Sequence, residues 1–367
     1  MLGTFWRVAI AGLLGIGTIG CGNSSNGSQG AGAGNTGTGG TGGSSPMAGA
    51  DWTQRGTSQR WSSVASSADG TKLVAVALDD GANNGGYIYT SVDSGVTWTQ
   101  TGTQRQWLSV ASSADGSKLV AVDNYGNSGG YIYTSVDSGV TWTQTGTKQR
   151  WTSVASSADG AKLVAAENCV CGAGGYIYVS ADSGVTWTQT GTQQRWTSVA
   201  SSADGTKLVA AANLGAISTS LDSGVTWTMD TSAPTYAPWE SVASSADGTK
   251  LVAVEASGEG GDFAIPGGYV FESADSGATW TQPEGLPTSR YWTAVASSAD
   301  GTKLVGVTAN CLNPGGDYIY TSADSGRTWT RTGTPQCWAA VASSADATRL
   351  VAVAFGGYIY TSTSSVP

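Results

Sequence analysis

Carboxylates and guanidinium groups are the side chains with which this 367-residue chain could do chemistry, because the sequence contains no His. Without His, Ser-His-Asp and Cys-His nucleophiles and His-ligated zinc or iron sites are excluded. Glu255, Glu259 and Asp262 could form the acid pair of a glycoside hydrolase. They crowd one Gly-rich loop instead of facing each other across a cleft, so hydrolysis is the weaker hypothesis.

Arginines recur just before a Trp-x-x-Val-Ala-Ser segment, where they would form a partial ring at one end of a repeat structure. They are Arg60, Arg105, Arg150, Arg195 and Arg290, and two other copies have Pro238 and Cys337 there. Each Arg could pair with a loop acid such as Asp80, Asp123 or Glu167, or stack on the neighbouring Trp. The alternative is a mouth that binds an anion or a carboxylate.

A few aromatic residues fall outside the repeated pattern and map to the same variable loops. They are Tyr125, Tyr236, Tyr291, Phe263 and Phe355. Exposed rings beside Arg and Asn suit stacking on sugars, and anchoring of the loops is the competing explanation.

The cysteines are typical of an exported protein. Cys311 and Cys337 lie on the same face in adjacent repeats, and we expect a disulfide between them. Cys169 and Cys171 would pair with each other or stay reduced. Two thiolates without His supply too few ligands for a metal, so we predict neither a metal site nor a cofactor.

The element that positions these residues is a repeat of 43 to 53 residues. Each copy contains four short runs rich in Val, Ile, Thr, Tyr and Trp, separated by Asp-Gly or Asp-Ser-Gly turns, which predicts a four-stranded antiparallel meander. A period of this length without helical periodicity is typical of a β-propeller. The copies open at Trp61, Trp107, Trp151, Trp196, Trp239, Trp292 and Trp338.

A second motif, Ser91-x-Asp93-x-Gly95-x-x-Trp98, stands late in each complete repeat and is called the box segment below. It resembles the Asp-box (BNR repeat) of sialidases and related propellers. That resemblance implies a structural turn between the third and fourth strands, away from any active site. The Asp residues assigned this structural role are Asp93, Asp137, Asp182, Asp222, Asp275 and Asp324.

The last repeat ends before its box Trp, and a matching piece stands at the other end of the propeller sequence. Asp51-Trp52-Thr53-Gln54 matches Thr97-Trp98-Thr99-Gln100. We therefore predict a seven-bladed, all-β propeller in residues 51–367, closed by residues 51–54 as the outer strand of the last blade.

The segment before the repeats predicts export. Residues 1–21 have one Arg, a short apolar run and small residues before Cys21. Thr18 to Cys21 resembles a bacterial lipobox, which implies lipidation of Cys21. Residues 22–50 are rich in Gly and Ser and predict a disordered tether. We expect a monomer in the cell envelope, periplasmic or at the cell surface, that contacts the membrane through its lipid alone.

The hypothesis about function rests on the charge and on the loops that differ between the repeats. The net charge of −9 comes largely from repeated turns, and the absence of a basic stripe argues against nucleic acid as a partner. We expect a non-catalytic binding or scaffold propeller that recognises a glycan or a protein through its variable loops. Two alternatives rest on resemblance: a sialidase-like glycoside hydrolase, although an Arg-Ile-Pro-like segment is missing, and an assembly factor similar to the photosystem II assembly-factor propellers.

Overall fold

The computed structural model describes residues 47–49, 51–79, 85–168, 174–256, 268–283, 290–309, 311 and 316–363. The predicted signal, Cys21, most of the predicted tether, Asp80, Cys169, Cys171, Glu259, Asp262 and Phe263 lie outside these residues. The described part is all-β apart from one 3-10 turn, Gly126–Ser128.

The strands fall into four sets that recur along the chain, and each group of consecutive strands forms one blade, named below by its opening Trp. Inner strands are β1 (Thr53–Ser66), β5 (Trp107–Ser112), β9 (Trp151–Ser156), β13 (Trp196–Ser201), β17 (Ala237–Ser244), β20 (Trp292–Ser297) and β24 (Trp338–Ser343). Second strands are β2 (Leu73–Asp79), β6 (Leu119–Asp123), β10 (Leu163–Glu167), β14 (Leu208–Gly215), β18 (Leu251–Glu255), β21 (Leu304–Thr308) and β25 (Arg349–Thr363).

Third strands are β3 (Gly86–Ser91), β7 (Gly130–Ser135), β11 (Gly175–Ser180), β15 (Ile217–Ser220), β19 (Val270–Ser273) and β22 (Asp317–Ser322). Outer strands are β4 (Thr99–Arg105), β8 (Thr143–Gln149), β12 (Thr188–Gln194), β16 (Thr228–Met229) and β23 (Thr330–Gln336). β1 and β25 are long because each continues from one strand position into the next. The molecule is thus a β-propeller with four-stranded antiparallel blades.

The Trp107 blade shows the register that the repeats share. Trp107 stands opposite Asp123, Leu119 opposite Ser135, and Tyr133 opposite Gln144. A register shift just after Trp107 lets the inner strand bend where it enters the sheet. The same shift follows the opening Trp in β13, β17, β20 and β24.

The two ends of the propeller sequence pair with each other. Thr53 lies opposite Thr361, Gln54 opposite Tyr360, and Arg55 opposite Ile359, all antiparallel. Trp52 packs on Trp338 with ring centroids 6.5 Å apart, close to the 6.3 Å between the box residue Trp142 and Trp107. The start of β1 therefore completes the Trp338 blade, as the sequence match predicted.

The core lies between neighbouring blades. Trp107 is fully buried and contacts the ring of Tyr133 edge-on at 5.0 Å. Val74, Val76 and Ile88 of the preceding blade pack in the same cluster. Since each blade buries its Trp against the sheet before it, a single blade has no complete core of its own.

A cycle of backbone hydrogen bonds joins the turns that follow the inner strands. The N–H of Ala68 donates to the carbonyl of Ala114 at 2.7 Å, and the Ala345 N–H donates back to Ala68 at 2.7 Å. Between these two, the donors continue in chain order through Ala114, Ala158, Ala203, Ala246 and Ala299. The turn of every blade is therefore tied to that of the next.

The box segments are turn fasteners, as the Trp107 blade illustrates. The Ser135 hydroxyl donates to Asp137 at 2.8 Å and accepts the Gly139 N–H at 2.9 Å, while the Thr141 N–H donates to Asp137 at 2.9 Å. Gly139 has a φ of 86°, which favours glycine. Hydrogen bonds from Thr141 and then from Ser135 lower the pKa of Asp137 to about 2.

Replacing Asp137 with Ala should lower the melting temperature, because three hydrogen bonds that hold the turn are lost. Since the pKa of Asp137 lies below the ordinary value of 3.8, its contribution is present above pH 3.8 and is lost as the pH falls through about 2. The difference in melting temperature between wild type and Asp137→Ala should therefore shrink from pH 6 to about pH 2. Calorimetry checks this, with exposed Asp51→Ala as the control. An equal loss for both variants would contradict the fastening role.

Replacing Trp52 with Ala should lower the free energy of unfolding by about 2–4 kcal/mol, because a large ring leaves the join between two blades. Trp142→Ala is the matched control, and we expect a similar loss since both rings pack on an opening Trp. Exposed Thr99→Ala should change stability by less than about 0.5 kcal/mol. A Trp52→Ala effect as small as that of Thr99→Ala would contradict closure by this strand.

Candidate functional site

An apolar cup lies where the inner strands begin, on the face of the variable loops. Its wall consists of Leu78, Leu108, Phe355, Tyr291, Glu240 and the cysteines 311 and 337, together with repeat residues such as Trp61. The cavity volume is about 70 Å³, small beside the roughly 300–1,000 Å³ of pockets for drug-sized ligands. The cup has room for the end of one side chain.

Departures from the repeat create the cup. The residue after the opening Trp is Ser or Thr in four blades, and the hydroxyl of Thr152 donates to the carbonyls of Ala166 and Trp196 at 3.1 Å each. Leu108, Glu240 and Ala339 stand at the same position in other blades and also line the cup. Apolar groups and one carboxylate thus face the axis where the repeat would place hydroxyls.

Glu240 and Tyr291 form the polar part of the cup. Glu240 is only 5% exposed. Burial and then the charge of Glu240 raise the pKa of Tyr291, so the phenol is protonated at neutral pH. A buried carboxylate beside apolar walls favours a neutral or cationic ligand group over an anionic one.

Three of the predicted arginines pair with acids at the ends of strands. Arg105 lies 3.2 Å from Asp123, and Arg60 lies 3.2 Å from Asp79. Asp80, another acid considered from the sequence, lies outside the described residues. The partner of Arg290 is Asp317, at 3.7 Å. These pairs fit the intramolecular interpretation, because an anion bound there would have to compete with a carboxylate already in place.

The other two predicted arginines are Arg150 and Arg195, and aromatic rings lie beside two of the paired arginines. Arg150 is 8% exposed. Burial raises the pKa of Glu167, and the Tyr176 N–H and then the charge of Arg150 partly oppose that rise. Arg195 is half-buried. Arg60 stacks over Phe355 at 5.7 Å and Arg105 over Tyr133 at 4.8 Å. The guanidinium groups therefore also support the aromatic residues.

Glu255 is the acid at the end of the second strand of the Trp239 blade, which has Pro238 in place of the Arg. Glu255 lies opposite Trp239 as Asp123 lies opposite Trp107, and it is 4% exposed. Burial raises the pKa of Glu255 to about 7, against the lowering effect of the Tyr269 N–H. This carboxyl is therefore largely protonated in the folded protein at pH 6.

The predicted aromatic residues do not form one cluster. Tyr291 and Phe355 line the cup. Tyr125 is 39% exposed beside the 3-10 turn, and Tyr236 is 65% exposed, both outside the lining of the cup. Sequence reasoning missed Leu78, Leu108 and Glu240, although the break in the Ser/Thr pattern after the opening Trp was a usable signal for two of them.

A disulfide forms one side of the cup. Cys311 and Cys337 are bonded, with Cα atoms 5.0 Å apart. It ties the loop after β21 to the start of β24, so that two neighbouring blades are held together beside Tyr291.

Among the described residues, no group of three or more His, Cys, Asp or Glu side chains could hold a metal ion. The same residues include no helix with the length and apolar character needed to cross a membrane.

Replacing Arg105 with Ala should lower the free energy of unfolding by about 2–4 kcal/mol, because the fully buried Asp123 would lose its cation. The double variant Arg105→Ala/Asp123→Asn should recover much of that loss. Urea unfolding of the single and double variants measures the coupling. A stable Arg105→Ala protein would contradict the pairing and favour an arginine that serves a ligand.

Replacing Glu255 with Gln should change the pH dependence of stability. The folded protein holds a proton on Glu255 that the unfolded chain releases above about pH 4.5, so wild-type stability falls between pH 4.5 and 7. Glu255→Gln should make this fall shallower and stabilise the protein by about 2 kcal/mol at pH 8. Denaturation curves from pH 4 to 8 test this, with Asp51→Asn as the exposed control. An unchanged pH profile would contradict a buried, protonated Glu255.

Comparison with known proteins identifies the fold. No protein-family model and no curated protein matches the chain. Among solved structures, the GH74 xyloglucanase from Xanthomonas campestris aligns with a TM-score of 0.65 and 16% identity over 86% of this chain. This chain spans 54% of that xyloglucanase.

Two other solved structures align over most of both chains. YCF48 bound to D1 peptide has a TM-score of 0.61 and 14% identity, covering 86% of this chain and 97% of its own. Kuenenia stuttgartiensis hydrazine synthase has a TM-score of 0.65 and 12% identity, covering 85% and 98%. At such identities the likeness extends to the fold alone, and this chain shares the β-propeller architecture with proteins of different function.

Proposed function

We propose that this chain is a non-catalytic binding propeller that recognises a protein partner through the cup on its variable face. The observation that carries the proposal is the cup itself, an apolar concavity built by residues that depart from the repeat. Binding sites typically combine apolar walls with a few polar groups that fix orientation. Here Glu240 and Tyr291 would supply that orientation.

The chemistry of the cup favours a protein side chain over a glycan. A sugar needs many hydrogen-bonding partners, whereas the wall here is dominated by Leu78, Leu108, Phe355 and the disulfide. An apolar or lysine-like side chain would bury its methylenes on that wall, and a cationic tip would meet Glu240. One structural neighbour, YCF48, was solved with a D1 peptide bound, so the fold is compatible with a peptide partner.

Glycoside hydrolysis is the second candidate, because one structural neighbour is a xyloglucanase. Retaining and inverting hydrolases use two carboxyl groups roughly 5–9.5 Å apart across a cleft. Among the described residues that line the cup, Glu240 supplies the single carboxylate. The described geometry therefore favours binding without turnover.

The proposal includes a ring of seven blades, presented from a lipid anchor. In support of seven, the cycle of alanine hydrogen bonds has seven members before it returns to Ala68. In support of export, the sequence before residue 51 has the signal pattern and Cys21, and a disulfide is present. We further propose that the propeller is monomeric and touches the membrane through that lipid.

The binding proposal is tested with residues 47–367 on a displayed library of random peptides and, in parallel, on a glycan array. We expect enriched peptides with an apolar or lysine side chain that binds in the cup. Leu108→Thr and Glu240→Thr restore residues that other blades have at this position, so they should fold. Each variant should bind the enriched peptides about tenfold more weakly than the wild type does.

The control for the binding test is Tyr236→Ala, which lies outside the cup and should leave affinity unchanged. A specific glycan with turnover would replace this proposal with hydrolysis. Peptide binding that survives both cup variants would overturn the cup as the site.

Lipidation has its own test. Cells given labelled palmitate should incorporate the label into the wild-type chain but not into Cys21→Ala, which should leave the membrane fraction. Equal labelling of the two proteins would contradict the anchor.

A further inference from the structure

A second cavity lies between the Trp239 and Trp292 blades, near the box segments and away from the cup. Its volume is about 500 Å³, whereas the equivalent cavities between the Trp61 and Trp107 blades and between the Trp338 and Trp61 blades measure about 10 Å³ each. Its wall includes Glu272, Lys250, Arg327, Ser297, Ser325 and Thr281. This blade junction is therefore built differently from its counterparts.

Pro283 accounts for part of the difference. Outer strands β4, β8, β12 and β23 have seven residues each, and Pro283 stands at the third position of the corresponding segment. Proline has no N–H to donate to a ladder. Among the described residues, the outer segment of the Trp239 blade pairs with its third strand at two isolated bridges, Glu272 with Thr281 and Gly268 with Arg290.

Glu272 is the second departure from the repeat. The corresponding position in β3 is Thr90, whose methyl group packs against the box glycine Gly139 of the next blade. Glu272 packs in the same way against Gly326 but ends in a carboxylate. One of its oxygens, Oε1, is buried and has no hydrogen-bond partner among the described residues. A polar atom buried in this way costs free energy unless something pairs with it.

Lys250 is the third departure. At four other junctions the corresponding lysine donates to the box serine of the next blade, as Lys72 does to Ser138 at 3.4 Å. Lys250 instead donates to the carbonyl of Asp300 at 2.9 Å, as Lys303 does to the carbonyl of Asp346 at the following junction. Arg327 adds a second cation, where most other blades have an exposed Val. Acid, cations and hydroxyls thus line one cavity.

We propose that this cavity binds a small zwitterion, a free amino acid or a short peptide, with its ammonium group on Glu272 and its carboxylate toward Arg327 and Lys250. Glu272 lines the cavity, so an ammonium group bound there would meet its carboxylate. The hydroxyls of Ser297, Ser325 and Thr281 can serve the polar atoms between the two charged ends. Leu251, Val252 and Leu304 provide apolar wall for a small side chain.

The charge state of Glu272 makes the binding pH-dependent. Burial and then the charge of Asp324 raise the pKa of Glu272 to about 7, while Arg327 lowers it, and Lys250 also lines the cavity. An ammonium group binds the ionised form, so binding releases a proton from those molecules in which Glu272 is protonated. Affinity for a zwitterion should therefore rise as the pH increases from 5 to 7, and the rise should stop near pH 8, where a peptide α-ammonium group loses its proton.

The test is titration calorimetry of the full-length protein with trialanine, N-acetyl-trialanine and trialanine amide. We expect trialanine to bind, with about tenfold or greater loss for the N-acetylated peptide and a smaller loss for the amide. Glu272→Thr introduces the residue found in β3. It should reduce the affinity for trialanine by about tenfold or more without lowering the melting temperature. Thr134→Val, which introduces the residue of β11 at the same position, is the matched control and should bind like wild type.

Arg327→Val tests the other end of the ligand, since Val stands at this position in most box segments. It should weaken trialanine but not trialanine amide, because the amide lacks the carboxylate. Failure of trialanine to bind, equal binding of N-acetyl-trialanine, or unchanged affinity in Glu272→Thr would each overturn the proposal. Since the cavity is separate from the cup, Leu108→Thr should bind trialanine normally, whether or not the cup holds a protein.

Discussion

The structure depends on the burial of one Trp per blade against the sheet of the preceding blade. Trp107 is covered by Val74, Val76 and Ile88, which belong to the sheet before it. The first and last blades would each expose one such surface in an open array, so the ring has to close. The strand from Thr53 to Arg55 meets this requirement by pairing with β25, and the alanine hydrogen bonds tie the turns in the same circular order. The stability of the propeller therefore depends on closure of the ring.

Because the ring is repetitive, its local devices are also repetitive. The box segments use Ser, Asp and Thr to satisfy the backbone of a tight turn, and Asp137 stays ionised to low pH because it accepts those hydrogen bonds. On the opposite face, burial raises the pKa of Asp123, and the Tyr131 N–H and the nearby Arg105 partly oppose that rise. These ionisable residues therefore make contacts within the scaffold.

Both proposed sites lie where the repeat is broken. Leu108 and Glu240 replace hydroxyl residues and create the cup, while Glu272 and Pro283 replace strand residues and accompany the larger cavity. Exchanging a scaffold residue in a single blade does not stabilise the repeat itself. Glu272 even leaves a buried oxygen without a partner among the described residues, which a Thr would not do. Such exchanges in a stable frame are the usual signature of a site.

The sequence by itself determined the strand pattern, the turn fasteners, the pairing of the two ends and the neighbourhood of Cys311 and Cys337. These follow from signals that are local or that match between copies, such as Trp52-Thr-Gln with Trp98-Thr-Gln. Tertiary structure decided which carboxylate each Arg meets, so that Arg60 pairs with Asp79 and Arg290 with Asp317. It also decided that Leu108, Glu240 and Tyr291 line one cup. Such residues lie about one repeat or more apart in the sequence, and they meet because the inner strands converge on a common axis, which no local pattern encodes.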